Sequence, residues 1–420
     1  MSRYDITDWI IHFVHKRNPE NDPLEFSVDW EGTMEYIKFP DNFKYNGEPI
    51  FQTNIYEEEA YGLESDADAI GVLKKILHDG IIKSGWSFRN GNPTIYGPKS
   101  AACFTEMPLY ALIEYSKNRN NDNYIEPYGI AFLKNELFES GARPVIYGLS
   151  GVHKEASDGD KNFGIGLRSL SSDCGIGLNE MYRYVYTNIR THKRIDWTHE
   201  REWRWADLQE NFDFSGLPFF VDNSVFRFSK IIVLVKTNED VQAIIEYIQH
   251  LYHSKSTNYG SEYNLTTIAN TYILSIEELS KFEKSVETIK LDDLPLNEIP
   301  KLSKIEVKPE TIEKIKSAIK VASDISYAES ERVFKEKGEI SEIGGCGWAN
   351  VVTYVTNSEI TQALIDLELA RSYGEGYYYI NLDRSYPSQL LEVDEPGKIK
   401  AAEYLTKELG QYFTTHWKWD

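Results

Sequence analysis

The chain has 420 residues, of which 45 are Lys or Arg and 66 are Asp or Glu, so its formal net charge at pH 7 is −21. Such an acidic surface repels polyanions, which disfavours nucleic-acid binding by the whole surface and leaves a local basic groove as the alternative. Hydrophobic residues make up 41% of the sequence and charged residues 26%, as in ordinary globular proteins, and the length is sufficient for two or three domains.

The cysteines and the apolar segments indicate the compartment. Cys103, Cys174 and Cys346 are odd in number and far apart, which predicts neither a disulfide framework nor a metal site and fits a reducing cytoplasm. The nine histidines form no ligand spacing with carboxylates, so no metal is expected. No secretory signal is visible, and apolar runs such as Ile231–Val235 are too short to span a bilayer. We therefore expect a cytoplasmic protein without a membrane partner.

Short apolar runs and one clear helix occupy the first part of the chain. Residues Asp8–Val14 are typical of a buried strand. Apolar residues recur at helical spacing over Asp66–His78, and Gly80 is suited to end that helix. Further strands are predicted at Ala101–Phe104, Tyr128–Phe132, Pro144–Tyr147 and Ile231–Val235, with a helix at Glu239–Leu251.

The run Ile195–Trp205 is the strongest candidate for chemistry. Read as a strand, its period of two places Glu200, Glu202 and Arg204 on one face. Carboxylates two residues apart repel each other unless a cation lies near them. One interpretation is a surface strand of mixed charge. The other is a catalytic pair, in which Glu202 stabilises a ribosyl cation and Glu200 orients or deprotonates an acceptor.

Five other residues extend this hypothesis to dinucleotide binding. His12 is either a core histidine or a contact to a ribose hydroxyl, and Arg89 is either an exposed loop residue or a clamp on a pyrophosphate. Tyr96, Phe104 and Thr105 offer aromatic faces and a hydroxyl near a strand end, although Phe104 taken alone favours the core.

The later part of the chain predicts a boundary and a second domain. Residues 276–320 lack Gly, Tyr, Trp, Cys and His but contain many Lys and Glu, which indicates a charged linker that passes into a helix. The expected division is a first domain at 1–275, this linker at 276–320, and a smaller α/β C-terminal domain at 321–420.

Within that C-terminal domain, strands are expected around Trp348–Val355 and Gly376–Leu382, with a helix at Ser358–Ala370. The aromatic residues Tyr377–Tyr379, Trp417 and Trp419 are either a ligand or partner surface or, as we favour, core and edge packing.

The order of several motifs resembles the AbiGi-like abortive-infection proteins of bacteria and, more remotely, ADP-ribosyltransferases of the DarT type. The resemblance covers roughly residues 8 to 235. About fifty residues separate His12 from the first helix, which is longer than in the DarT pattern. The matching segments are Ile11–Val14, Val72–Ile82, Cys103–Pro108, Tyr128–Phe132, Gly141–Tyr147 and His199–Arg204.

This resemblance implies an α+β, ADP-ribosyltransferase-like fold with a split β-sheet core, and NAD as the donor substrate. It also implies that Glu202 is the catalytic glutamate, that His12 contacts NAD from the first strand, and that Arg89 lies between them. The expected role is a toxic effector against phage that modifies a protein or nucleic-acid acceptor and responds to a phage trigger or an antitoxin.

Two alternatives remain open at this point. The same residues would serve an NAD glycohydrolase, in which water replaces the acceptor. A module that keeps the fold without catalysis would instead recognise a phage component or a nucleotide. The C-terminal domain is expected to sense a trigger or to restrain the first domain.

Overall fold

The computed structural model divides into two compact units. Unit 1 contains Met1–Ile245 and Asn264–Ile299, and unit 2 contains Glu246–Tyr263 and Pro300–Asp420. The residues that the structure describes are 7–17, 37–38, 44–45, 48–49, 51–52, 66–85, 87–89, 92–97, 99–108, 111–112, 114, 126–149, 155–156, 169–170, 174–189, 194–208, 216–223, 225–257, 260–281, 293–300, 305–337, 345–372 and 376–419.

An eight-stranded mixed sheet forms the centre of unit 1. Its order is β4-β5-β2-β1-β3-β6-β7-β8, and every neighbouring pair is antiparallel except β6 and β7, which are parallel. The α+β class is thus confirmed. The strands are β1 (Trp9–Val14), β2 (Ala102–Thr105), β3 (Tyr128–Leu133), β4 (Arg143–Pro144), β5 (Glu202–Trp205), β6 (Ile231–Val235), β7 (Thr271–Ser275) and β8 (Asn297–Glu298).

The sheet is held together unevenly along its width. Strands β1 and β3 pair at six positions, whereas β1 and β2 pair only at Ile11 and Thr105. The three strands β4-β5-β2 are therefore joined to the other five at a single register position. Strand β6 is buried at all five residues because both faces are covered, which explains its continuous apolar sequence.

The first helix ends at Gly80, as the sequence predicts, but begins three residues after the predicted start at Asp66. Helix α1 (Ala69–Asp79) begins after Asp68, whose side chain accepts a hydrogen bond from the Gly71 backbone N–H at 2.8 Å. Gly80 ends it in the left-handed conformation, with φ of 70°. Three further helices with fully described bounds lie in unit 1: α2 (Lys134–Glu139), α4 (Leu265–Ala269) and α5 (Ile276–Ser280).

Helix α3 (Asn238–Ser254) begins in unit 1 and continues into unit 2. Short 3-10 turns occur at Leu178–Arg183 and Thr198–Glu200. The remaining strands are two or three residues long and form two-stranded ladders: Ile37–Lys38 with Phe51–Gln52, Lys44–Tyr45 with Glu48–Pro49, Ile81–Lys83 with Gly216–Pro218, Phe88–Arg89 with Asn92–Pro93, Ile146–Tyr147 with Tyr184–Val185, and Glu155–Ala156 with Ser169–Leu170.

Unit 2 is built on a four-stranded antiparallel sheet in the order β10-β11-β9-β12. Its core packs residues of this sheet against three helices. The elements are α6 (Pro309–Lys337), β9 (Gly347–Thr353), α7 (Glu359–Asp366), β10 (Ala370–Ser372), β11 (Tyr378–Ile380), α8 (Leu391–Leu409) and β12 (Thr414–Trp419).

Helices α6 and α8 approach each other closely through small residues. A Cβ atom added to Gly397 would lie 2.5 Å from the Ser326 carbonyl oxygen and 2.3 Å from the Ser330 hydroxyl oxygen. A glycine in the middle of a helix lowers helix stability, so its place here follows from the close contact.

The residues predicted as a linker, 276–320, are divided between the two units. Helix α5 and strand β8 belong to unit 1, whereas α6 belongs to unit 2, and the division falls between Ile299 and Pro300. None of the described helices combines the length and apolar composition needed to cross a bilayer.

Candidate functional site

Strand register determines which predicted site residues share a face. Thr105 on β2 pairs with both Ile11 on β1 and Glu202 on β5, so these three side chains point to one side of the sheet. Cys103 and Arg204 pair in the next row on that same side. The candidate site is the cluster on this face around Glu202.

Glu202 is held by an ion pair with Arg204, two residues along the same strand. The Arg204 Nε atom donates to Glu202 Oε1 at 2.7 Å, while the side chains are 5% and 14% exposed, respectively. The guanidinium engages the carboxylate through this nitrogen and one oxygen, so the second carboxylate oxygen lies outside the ion pair. Glu202 is therefore fixed in position and still reaches solvent.

Two backbone carbonyl groups hold the Arg204 guanidinium in place. Its Nη1 atom donates to the carbonyl oxygens of Tyr182 at 2.6 Å and Tyr184 at 3.2 Å. Burial opposes the positive charge, but the neighbouring Glu202 carboxylate holds the pKa of Arg204 above its ordinary value. The guanidinium thus stays charged inside the protein and fixes the carboxylate beside it.

Two further groups surround the carboxylate. Burial and the nearby charge of Glu202 raise the pKa of the Cys103 thiol to about 12, so this thiol is neutral at physiological pH. The Glu202 backbone N–H donates to Tyr147 Oη at 2.7 Å, and burial raises the pKa of Tyr147 to about 12. Both groups are neutral, so neither competes with Glu202 as a negative charge.

The predicted alignment of Glu200 with Glu202 is wrong. Residues Thr198–Glu200 form a 3-10 turn, Arg201 has φ of 46°, and β5 begins only at Glu202. The physical reason is local: the Asp196 carboxylate accepts hydrogen bonds from the backbone N–H and the hydroxyl of Thr198, which turns the chain before the strand. Glu200 therefore does not share a strand face with Glu202.

Thr105 connects that turn to the strand. Its hydroxyl donates to the Glu200 carbonyl oxygen, and the Glu106 backbone N–H donates to the Arg201 carbonyl oxygen at 3.1 Å. The predicted binding residue Thr105 thus has a structural partner that places the turn next to β2.

His12 lies on the opposite face from Glu202. It follows Ile11 in β1, and its ring centroid lies 5.6 Å from that of Phe104. Its Nδ1 atom is 2.9 Å from the Cys103 carbonyl oxygen, and burial lowers its pKa to about 4. Because a carbonyl only accepts hydrogen bonds, Nδ1 carries the proton and Nε2 of the neutral ring is an acceptor. The imidazole thus forms a hydrogen bond to β2 next to Ile11 and Thr105, the position at which β1 and β2 pair.

The two aromatic residues predicted to stack on NAD pack in the core of unit 1. Phe104 is 3% exposed and lies 6.0 Å from Phe132, ring centre to ring centre. Tyr96 is also 3% exposed and makes an edge contact with Tyr184 at 4.9 Å. Arg89 lies in a two-residue strand paired with Asn92, and its side chain falls outside the described part of the chain.

An open groove of about 510 Å³ lies beside Trp203, which points away from Glu202 because neighbouring strand residues alternate faces. Trp203 Nε1 donates to Glu106 Oε2 at 2.9 Å, and Lys134 Nζ lies 2.6 Å from Glu106 Oε1. The groove is lined by Asp8, Leu133, Lys134, Asn135, Phe138, Glu139 and Trp203.

Sequence reasoning missed three members of the Glu202 cluster. Arg204 lies on the predicted face, but the sequence does not show that its guanidinium anchors Glu202. Cys103 could have been placed by pairing the predicted strands. Tyr147 lies 55 residues from Glu202, and the sequence holds no local signal for that contact.

Within the described ranges, no group of three or more His, Cys, Asp or Glu side chains is arranged to hold a metal ion. A scan against protein-family models and searches of curated proteins and of solved structures found no match to the chain.

Proposed function

We propose that this protein is an NAD-consuming ADP-ribosyltransferase that acts as a toxic effector in abortive infection. The observation that carries the proposal is the fixed carboxylate of Glu202, held by the buried Arg204 and partly open to solvent. The motif resemblance adds NAD as the donor and phage defence as the setting.

A fixed carboxylate suits this chemistry because the transition state is a ribosyl oxocarbenium ion. As the bond to nicotinamide lengthens, positive charge develops on the ribose, and a preorganised anion nearby stabilises it without having to reorient. Arg204 provides that preorganisation through its three hydrogen bonds. The neutral Cys103 thiol leaves Glu202 as the negative charge of this cluster.

His12 supports a dinucleotide ligand in a specific way. Its neutral ring presents Nε2 as an acceptor, which suits a ribose hydroxyl. Because His12 and Glu202 lie on opposite faces, a ligand that contacts both must pass the place where β1 and β2 separate. The ADP-ribosyltransferase-like split sheet belongs to this proposal, and the single register pair between β1 and β2 supports it.

NAD hydrolysis is the second candidate, and the position of Glu200 favours it. In the transferase hypothesis Glu200 orients or deprotonates the acceptor, yet it precedes the strand on a turn rather than lying beside Glu202. Attack by water needs no such aligned residue.

The test uses NAD labelled on its adenylate half, incubated with the purified full chain and lysate from infected or uninfected cells. Glu202→Gln is the informative variant, since an amide oxygen still accepts from Arg204 Nε while the negative charge is removed. Glu239→Gln, an exposed carboxylate on α3, is the matched control.

Each outcome has a distinct meaning. Label on protein or nucleic acid that disappears in Glu202→Gln and persists in Glu239→Gln supports the transferase. Nicotinamide release with no labelled acceptor, again lost in Glu202→Gln, supports the hydrolase. Equal activity of Glu202→Gln and the parent contradicts both assignments.

A further inference from the structure

One face of the unit 2 sheet is aromatic and cationic. Register defines this outer face: Arg371, Tyr379, Val352 and Thr414 form one row across the four strands. The next two rows along β9 and β12 are Asn350 with His416 and Trp348 with Lys418. By alternation, Tyr354, Tyr377 and Asn381 extend the same face beyond the paired rows.

The opposite face of this sheet is the core face. Val351, Tyr378 and Ile380 are at most 4% exposed and pack with residues of α6 and α8. On the outer face, by contrast, Trp348 is 43% exposed and Tyr354 is 52% exposed. Burial of the core therefore does not account for these outer aromatic side chains.

The outer aromatic rings form a continuous cluster. The Tyr377 ring centroid lies 5.4 Å from those of Tyr354 and Tyr379 and 5.5 Å from that of His416. Tyr379 Oη and His416 Nδ1 are 3.1 Å apart. These contacts hold the rings on the sheet surface at defined positions, and Trp348 lies further along the same strand as Val352.

The two permanently charged side chains among the outer-face residues named above, Arg371 and Lys418, are both cationic. Arg371 lies on β10 at one edge, while His416 and Lys418 lie on β12 at the other, and all three are exposed. None of the outer-face residues named above is acidic, although the chain contains 66 Asp and Glu residues. The strand positions of this face thus carry no carboxylate, and the exposed Glu368 lies at its border, where Asn381 Nδ2 donates to the Glu368 carbonyl oxygen.

We propose that the outer face of unit 2 binds single-stranded nucleic acid, with bases stacked on its aromatic side chains and phosphates near its cationic edges. Aromatic platforms flanked by positive charge are the usual means of binding unpaired strands. A duplex hides its base faces, and an acidic peptide would use the cations without using the aromatic rings. Rows repeat about every 6.8 Å along a strand, so the face from Tyr354 to Trp348 accommodates roughly three or four nucleotides. This inference is independent of whether Glu202 transfers ADP-ribose.

The experiment measures binding of the full chain to fluorescent oligonucleotides by anisotropy. The probes are single-stranded RNA and single-stranded DNA of mixed sequence, about 12 nucleotides long, the corresponding duplexes, and poly-glutamate as an acidic polypeptide. We expect both or one of the single strands to bind and the duplexes to bind more weakly, and the RNA and DNA arms identify the preferred sugar.

Variants separate stacking from charge and from folding. Trp348→Ala and Tyr379→Leu should each weaken single-strand binding by roughly 5- to 100-fold, whereas Tyr379→Phe should retain it because the ring remains. Lys418→Gln should weaken binding and reduce the slope of log affinity against log salt by about one. Trp417→Ala is the matched control: Trp417 is 46% exposed on the neighbouring strand and points to the opposite face.

Thermal unfolding of each variant checks that unit 2 remains folded. Duplex binding equal to single-strand binding, or an equal loss in Trp417→Ala and Trp348→Ala, would overturn the proposal. Preferential binding of poly-glutamate would assign the face to a protein partner instead, and binding to none of the probes would also overturn it.

Discussion

Residue Arg204 combines a structural role with a proposed role in positioning the catalytic carboxylate. It is 4% exposed and satisfies one carboxylate oxygen and two backbone carbonyls. A buried cation with several acceptors cannot be removed without leaving those acceptors unpaired. The residue that fixes Glu202 therefore also stabilises unit 1.

We expect Arg204→Met to lower the free energy of unfolding by about 3–5 kcal/mol, because the largely buried Glu202 carboxylate and the carbonyl oxygens of Tyr182 and Tyr184 would lose their partner. Urea denaturation at pH 7 measures this. The double variant Glu202→Gln/Arg204→Met removes the orphaned charge and should recover part of the loss. A double variant no more stable than Arg204→Met would show that the lost bonds to the two tyrosine carbonyls dominate.

Two histidines, the half-buried His12 and the buried His78, predict a decline of stability in mild acid. Burial lowers the pKa of both His12 and His78 to about 4 from 6.5. The unfolded chain therefore binds more protons than the folded one as pH falls from 6.5 towards 4, so stability decreases over that window and is fully present above it. Each histidine should contribute a loss of roughly 2 kcal/mol at pH 5.

Comparing denaturation at pH 7.5 and pH 5 tests this. The Gln side chain in His12→Gln can still donate to the Cys103 carbonyl. In this variant the difference in the free energy of unfolding between pH 7.5 and pH 5 should be smaller by about 2 kcal/mol, the contribution of one histidine. An unchanged difference would mean that His12 is not held neutral by the fold.

The contrast between Glu202 and Glu200 shows what residue patterns can and cannot establish. Period-two alternation correctly paired Glu202 with Arg204, because both lie inside a regular strand. It failed for Glu200 because one Asp196 side chain, bonded to Thr198, replaces the strand with a turn. Such side-chain competition for the backbone has no signature in hydrophobic periodicity.

At the scale of elements, ends were more predictable than pairings. Gly80 predicts where helix α1 ends, and the structure agrees, whereas the predicted start at Asp66 lies three residues before Ala69. The single register pair that joins β1 to β2 depends on contacts between residues about ninety positions apart. Local sequence does not encode where two distant strands cease to pair.

The contact between α6 and α8 gives a prediction for a single methyl group. By helix propensity alone, Gly397→Ala should stabilise the protein by about 1 kcal/mol. We nevertheless expect the free energy of unfolding to fall by about 1–3 kcal/mol, because the new Cβ meets the Ser326 carbonyl oxygen. Glu408→Ala, an exposed position on the same helix, serves as the control and should be near neutral.

Adding Ser330→Gly to Gly397→Ala should not restore stability. That change removes the nearby hydroxyl but leaves the Ser326 backbone carbonyl in place. Full recovery in the double variant would show that the side chain, and not the backbone, limits the helix approach.

At the scale of the whole molecule, unit 2 is discontinuous in sequence. Its core includes the end of α3, where His250 Nε2 lies 2.8 Å from Ser372 Oγ and its ring lies 4.9 Å from that of Tyr378. The composition shift after residue 276 indicated that a second domain follows. It gave no sign that residues 246–263 belong to it, because that helix looks like any amphipathic helix.

Separating the chain after residue 299 should therefore not yield two independent proteins. Residues 300–420 alone lack the segment that packs on Ser372 and Tyr378, so we expect a broad, weakly cooperative unfolding transition. Co-expressed with residues 1–299, they should co-purify as a complex. A sharp transition of 300–420 alone, with no association, would contradict the assignment of 246–263 to unit 2.

This discontinuity also sets an order of events on the ribosome. The end of α3 is synthesised well before its partners in unit 2, since Ser372 follows His250 by 122 residues. At about 5–20 residues per second, roughly 6 to 24 s therefore pass before the buried His250 side chain can meet Ser372 and Tyr378. During that interval the end of α3 is accessible to chaperones, so the folding of unit 2 is delayed until its later segments have been synthesised.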